Sequence, residues 1–343
     1  MDRELLKEKL EWAIMGWAAW DAIGLPVEMK TKEYIKAEFW YIDRFHETRK
    51  NIFFAKWWFD EEGVWYISDD TLLTLATLDS LSESWKLDFD SVWRYHLKYY
   101  DTFPYWFWKS TKNALEAIRS GASYLETWSP SWTGNGIMMK QAPLAFYYAI
   151  SDISEEQMNK EIRTYSCMTH ANKITVVSAI VHNMLLMELI RSDWDIGKKE
   201  LFWKLLECAL KYESEITDLE SDWENISDRI REICELIDGD GVFSLSDEMI
   251  LEKFWWWEEK IYKSCYIAVT LPIVYSIFLR NPDLRWFFGS INIWGDTDSY
   301  WAIMWNMVGA YRGGFLHDKF LWQLQDFDTL KERIAVFAQK FIN

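Results

Sequence analysis

Two pairs of aspartates have the types and spacing to do chemistry. Asp69 and Asp70 open an apolar-periodic stretch in YISDDTLLTLATLDSL, flanked by Ser68 and Thr71. Asp296 and Asp298 stand one residue apart in NIWGDTDSYWAIM, beside Thr297 and Ser299, ahead of another helical stretch. Two readings compete. Acids and hydroxyls at a helix start cap free N–H groups and suit the helix dipole. Carboxylates and hydroxyls at this spacing also suit a hard divalent cation such as magnesium or manganese, which prefers oxygen ligands. Capping explains one acid at 296–298 easily, but not two acids and two hydroxyls after a glycine turn. An aspartyl-phosphate enzyme would need a buried strand before the motif and alternating strands and helices, and neither pattern occurs.

Three further stretches carry candidates. In WDAIGLPVEMK, Asp21 and Glu28 flank a Gly-x-Pro turn, where Glu28 also reads as a plain surface acid. TGNGIMMKQAPLAF is a Gly-Asn-Gly turn leading into a helix, and free N–H groups at such a turn can hold an anion. MTHANKITVVSA places His170 just ahead of a helix, where a lone histidine more often caps or packs. DGDGVFSLSDEM fails as a calcium loop, with Val242 at a ligand position and Met249 at the twelfth.

Helices must position these groups. Helical periodicity predicts helices over 3–24, 70–84, 88–100, 110–120, 138–150, 155–167, 171–192, 196–211, 223–237, 260–280, 297–313 and 328–341. Period-two alternation is rare, so the chain reads as one all-α domain over 1–343, with an acidic peripheral segment near 213–260. ITVVSAIVHNMLLMELI is apolar all round and predicts a central buried helix. The net charge of −17 argues against direct nucleic-acid or anionic-membrane binding. Cys167, Cys208, Cys234 and Cys265 are far apart and form no zinc spacing. The amphipathic start MDRELLKEKLEW is not a signal peptide, and the longest apolar stretch is interrupted by Pro272. A cytoplasmic monomer with reduced thiols is expected.

The order of the motifs is more specific than any one of them. DAIGLPVE (21–28), SDDT (68–71), GNGIMMKQAP (134–143), TH (169–170) and GDTDS (295–299) follow one another as in the ADP-ribosylglycohydrolase family, which this sequence resembles from about residue 8 to 315. The resemblance implies an all-helical, orthogonal bundle with two divalent cations, Mg2+ or Mn2+, at its centre. Their ligands would be Ser68, Asp69, Asp70, Asp296, Asp298 and Ser299. Glu28, Asp69 and Asp298 would be the catalytic carboxylates, with the general base open between Glu28 and a metal-bound aspartate. Asp21, Gly134, Asn135, Gly136, Met139 and His170 would line the substrate groove. Lys140 stands where the family often has Arg. The implied activity is hydrolysis of the glycosidic bond between ADP-ribose and a protein side chain or small acceptor. The alternatives are an inactive, crystallin-like relative, or a hydrolase of another ADP-ribosyl or nucleotide-like metabolite.

One compositional feature stands apart. The chain has 24 Trp and only 14 Gly. Trp12, Gly16, Trp20 and Gly24 form one four-residue ladder, and Trp301, Trp305, Gly309 and Gly313 another. The family pattern has Gly or a small residue at several of these, and at Trp40, Trp108 and Trp294. Overpacking at many close contacts would cost about 1–3 kcal/mol each, more than marginal stability absorbs. These residues are therefore expected to be glycines encoded by UGA, read as Trp under another code. A natural Trp-rich core is the alternative.

Overall fold

Apolar residues at three- and four-residue spacing give each long helix a buried side, and the most apolar helices take the middle of the molecule. The structure is a computed structural model. It describes all residues except 1, 43, 47–65, 104–106, 126, 128, 130, 193–196, 238–242, 256–263, 281–294, 315–320 and 343. Among the described residues there are fourteen α-helices and no sheet, as the periodicity predicts. They are α1 Arg3–Gly24, α2 Lys32–Glu38, α3 Asp69–Ser84, α4 Phe89–Thr102, α5 Lys109–Arg119, α6 Ala142–Ile150 and α7 Glu155–Cys167. Then come α8 Lys173–Arg191, α9 Lys198–Glu215, α10 Ile226–Leu236, α11 Asp247–Phe254, α12 Ile267–Arg280, α13 Thr297–Arg312 and α14 Phe327–Phe341. α2 and α11 are too short for periodicity to reveal. α6 starts later than 138 because a 3₁₀ turn at Asn135–Ile137 precedes it and Pro143 fixes its first turn.

α8 is the predicted central helix. It is long and apolar enough to cross a membrane, but it is packed inside α6, α7, α9 and α13. Its last carbonyls meet a buried lysine. Lys9 of α1 donates to the carbonyls of Leu189, Ile190 and Ser192 at 3.0, 3.0 and 2.7 Å, which satisfies groups that a helix end leaves open.

α1 and α13 run antiparallel and touch along their lengths. At one end a methyl group on Gly24 would stand 2.5 Å from Asp298 Cα, so only glycine allows this approach. Further along, Trp305 fills the space over Gly16, where a Cβ would fall 1.2 Å from its Nε1. That indole N–H donates to the Trp12 carbonyl at 3.1 Å. Trp20 stacks on Trp305 with ring centroids 5.3 Å apart and lies 5.9 Å from Trp301. The two ladders thus interlock: Trp305 faces Gly16, and Trp20 meets Trp301 and Trp305. Trp294 lies outside the described residues.

Two other tryptophans hold a glycine conformation. Trp85 ends α3 at φ 60°, its N–H on the Leu81 carbonyl at 2.9 Å. Trp40 follows α2 at φ 63°, its N–H on the Lys36 carbonyl at 3.2 Å. Both are left-handed helix closures, where glycine is usual. An L-residue there is strained by about 1–2 kcal/mol. Trp108 differs: it precedes α5 at φ −64°, which any residue adopts. Trp85→Gly is expected to raise the melting temperature by an amount equivalent to about 1 kcal/mol. An unchanged or lower value would mean that the contacts of the indole with Phe341 and Lys340 outweigh the strain.

Candidate active site

Three segments distant in sequence converge. Where Gly24 meets α13, the 3₁₀ turn Leu25–Val27 carries the chain round to Glu28. Met29 N–H donates to the Gly295 carbonyl at 2.7 Å, and Gly295 N–H to the Lys30 carbonyl at 3.4 Å. Glu28 is thereby pinned beside Asp296 and Asp298. Gly295 has φ 112°, and a Cβ there would lie 2.6 Å from the Trp255 ring, so the turn requires glycine on both counts.

The second segment is the start of α3. Asp21, in the last turn of α1, is buried, and its Oδ2 accepts three hydrogen bonds from this segment. They come from the Ser68 N–H at 2.9 Å, the Thr71 N–H at 3.2 Å and the Thr71 hydroxyl at 2.5 Å. Ser68 Oγ accepts the Asp70 N–H at 3.2 Å. Capping of α3 therefore falls to Ser68 and Asp21, not to Asp70. The third segment is the start of α13. Asp296 stands at its cap position but makes no capping hydrogen bond. It accepts Asn135 Nδ2 at 2.7 Å instead. The capping reading fails for Asp70 and Asp296.

The acids form two groups. Oxygens of Asp21, Asp70 and Asp298 lie within 4.8 Å of one another, and so do those of Glu28, Asp296 and Asp298. Asp298 belongs to both. Asp21 Oδ1, Asp70 Oδ2 and Asp298 Oδ1 are buried and carry no hydrogen bond. Ser299, in the first turn of α13, is close enough to the Asp70 and Asp296 carboxyls to oppose the rise of their pKa values. Asp69 belongs to neither group, and its Oδ2 accepts the Trp108 N–H at 3.3 Å.

Burial, then mutual repulsion, holds Glu28, Asp70 and Asp298 well above the usual carboxylate range. Burial raises Asp296 too, against its bond from Asn135. Asp69 is pushed up to about 8, chiefly by burial, which the Trp108 N–H opposes. Burial takes Asp21 to about 6, outweighing its bonds to Thr71 and Ser68. A raised carboxyl pKa means that the folded state holds protons the unfolded chain has released. In the metal-free protein that stabilisation is complete below about pH 4. It is lost as pH rises through about 6 for Asp21 and about 8 for Asp69. The metal-free melting temperature should fall across this window, and magnesium or manganese should flatten the profile. A metal-free melting temperature that climbs over the same window would contradict this.

The remaining predicted residues adjoin the cluster. Gly134 pairs with Tyr266, and Asn135 N–H donates to the Cys265 carbonyl at 2.8 Å, which pins the Gly-Asn-Gly turn to the approach of α12. Asn135 Nδ2 also reaches Thr270 Oγ1 at 3.2 Å. A Cβ on Gly136 would lie 3.2 Å from the His170 ring and 3.4 Å from Met139 Sδ, so these three adjoin. The Met139 carbonyl accepts the Thr74 hydroxyl of α3 at 2.9 Å. His170 Nδ1 lies 2.8 Å from Thr169 Oγ1, and burial holds its pKa down to about 3, so the ring is neutral. Lys140 is turned inward rather than toward an open anion site. It is buried, donates to Thr169 Oγ1 at 3.2 Å and lies 4.7 Å from the Tyr165 ring centre.

Sequence reasoning assigned Asp21 to substrate and did not foresee its place in an acid group. The available signal was an acid on an otherwise apolar face, one turn from the helix end. It named Thr71 as a flanking hydroxyl but not its bond to Asp21, and it missed the tie between Asn135 and Asp296.

Comparisons with known proteins point the same way. The uncharacterized protein YegU of Escherichia coli (strain K12) is 30% identical over 179 residues, 51% of this chain and 52% of that protein. The match thus spans about half the length of that relative. A solved structure described as an ADP-ribosylglycohydrolase-related protein complex has a TM-score of 0.65 at 21% identity, covering 98% of this chain and 99% of that one. At that identity the likeness is one of fold. The family described as ADP-ribosylglycohydrolase matches residues 2–343. With both acid-bearing helix starts inside that match, the chain belongs to the ADP-ribosylglycohydrolase family.

Proposed function

We propose that this protein is a divalent-cation-dependent hydrolase that releases ADP-ribose from a modified side chain or small acceptor by cleaving the glycosidic bond. The observation that carries the reading is the trio of buried carboxylate oxygens on Asp21, Asp70 and Asp298 that make no hydrogen bond. Buried, mutually repelling oxygen donors of this kind fit Mg2+ or Mn2+. Ser68, Asp69, Asp70, Asp296, Asp298 and Ser299 are the proposed holders of two such ions; of these, Asp70, Asp296 and Asp298 stand in the two acid groups, together with Asp21 and Glu28. Bound there, the ions would orient ribose hydroxyls and offset the carboxylate charge.

The chain's own residues account for the rest. Glu28 and Asp69 are the carboxylates proposed to take the proton of the attacking water. As the bond to the leaving group breaks, positive charge develops on the sugar, and the surrounding acids favour it. Gly134, Asn135, Gly136, Met139 and His170 would shape the groove for the substrate, an ADP-ribosylated protein or small molecule. The protein is proposed to act as a cytoplasmic monomer. The test is release of ADP-ribose from ADP-ribosyl-arginine and ADP-ribosyl-serine with Mg2+, with Mn2+ and with chelator. Metal-dependent release from either supports the reading; tight ADP-ribose binding without release from any substrate would favour the crystallin-like alternative.

The tryptophans bear on this activity. On the same reading Trp12, Trp20, Trp294, Trp301 and Trp305 are glycines in the functional protein, and the chain with Trp is impaired. The left-handed backbones of Trp40 and Trp85 support it. The coding DNA tests it directly: UGA is expected at 12, 20, 294 and 305, and UGG there contradicts it.

A further inference from the structure

Lys140, Thr169 and His170 form a hydrogen-bonded relay that ends beside the Gly-Asn-Gly turn. Lys140 Nζ donates to Thr169 Oγ1 at 3.2 Å, and that oxygen lies 2.8 Å from His170 Nδ1. All three residues are buried. An ammonium group gives hydrogens and has no lone pair, whereas a hydroxyl has one proton and can also accept. Thr169 Oγ1 therefore accepts from Lys140. Among the described residues its own proton has one acceptor within reach, His170 Nδ1. A neutral ring that accepts at Nδ1 carries its hydrogen on Nε2.

The far edge of the ring lies against the turn. Cε1 and Nε2 stand 3.2 and 3.4 Å from where a Cβ on Gly136 would fall. Gly136 follows Asn135, whose side chain holds Asp296 at 2.7 Å. Among the described residues Nε2 meets no hydrogen-bond partner, yet it is not an enclosed polar atom as His182 Nε2 is. Burial lowers the ring to a pKa of about 3 and Lys140 to about 7, where Asp69 favours the charged amine. Between those values the amine is charged and the ring neutral, the combination that the relay requires.

We propose that Lys140 is a positioning residue: acting through Thr169, it holds His170 in the Nε2–H form and so offers that N–H to an acceptor oxygen of the ADP-ribosyl group. The identity of the acceptor rests on the hydrolase reading; the relay does not. The ring form is read by long-range proton–nitrogen correlation in ¹⁵N-labelled protein at pH 6, with neither metal nor substrate. His170 should show a protonated Nε2 and an accepting Nδ1. Lys140→Met removes the donor at similar side-chain length, and a measurable Nδ1–H fraction should appear. ADP-ribose affinity in the presence of Mn2+ should fall about tenfold in Lys140→Met, the worth of one hydrogen bond. His170→Phe should lose at least as much. The double variant should be no weaker than His170→Phe alone, because the lysine acts through the histidine. An Nδ1–H ring in the unchanged protein, or additive losses in the double variant, would overturn the proposal. If Lys140→Met does not fold, Thr169→Val should reproduce its loss and Thr169→Ser should retain affinity; equal losses in both would overturn it as well. An unchanged protein with the Nε2–H ring that binds no ADP-ribose counts against the hydrolase reading and not the relay, which the ring form of Lys140→Met still decides.

Discussion

Asp298→Asn is expected to abolish divalent-cation binding and to lower kcat/KM for ADP-ribosyl hydrolysis by roughly a thousandfold or more. Asp298 is the one acid shared by both groups, so its loss removes a negative donor from each. Asn135→Ala should do less, about 10–100-fold, because Asn135 acts on Asp296 from outside the acid groups. Misfolding is told apart by sign. Asp298 is buried among Glu28, Asp296, Asp70 and Asp21, all of which repel it. Neutralising it should raise the metal-free melting temperature at neutral pH while activity disappears. Calorimetric titration with Mn2+ and thermal unfolding of the same samples check both. Retained stoichiometric Mn2+ binding in Asp298→Asn would remove the two-group description of the site.

The second large effect concerns the contact between α1 and α13. Replacing Trp12, Trp20, Trp301 and Trp305 together by glycine is expected to give a folded protein with a higher melting temperature and higher activity. If the tryptophan core is instead the natural one, each replacement removes a large packed side chain at about 3–5 kcal/mol. Four of them would exceed a typical total stability of about 5–15 kcal/mol, and the protein would unfold. The two outcomes differ in sign, so one thermal scan beside the unchanged chain separates them. Interlocking of Trp305 with Gly16 is what the natural-tryptophan alternative has in its favour. The left-handed Trp40 and Trp85 weigh on the other side, since both indoles are exposed and neither closure needs one.

What could be read in advance was local. SDDT and GDTDS are contiguous, so the acids that meet in the site announce themselves by spacing, and long apolar-periodic runs such as α8 are legible in the same way. What could not be read depends on which elements pair. Nothing near Asp21 says that its carboxylate will receive the first N–H groups of α3, because that bond crosses the fold. Whether Ser68 or Asp70 caps α3 is a choice between adjacent groups of similar ability, and only the backbone geometry makes it. Lys140 carries its charge in any sequence reading, but its direction is set by Tyr165 of α7 and Thr169 in the turn that follows it. The Trp and Gly ladders were visible singly. Their interlocking required knowing that the first long helix lies antiparallel on the thirteenth.

That pairing also sets a timetable for synthesis. α1 is synthesised well before α13, whose Trp301 and Trp305 pack on Trp20. At about 5–20 residues per second the nascent chain carries this apolar helix for tens of seconds before its partner exists. During that interval its apolar face is a target for self-association. The acids of the three segments assemble only when α13 docks, so the two acid groups are completed late in folding.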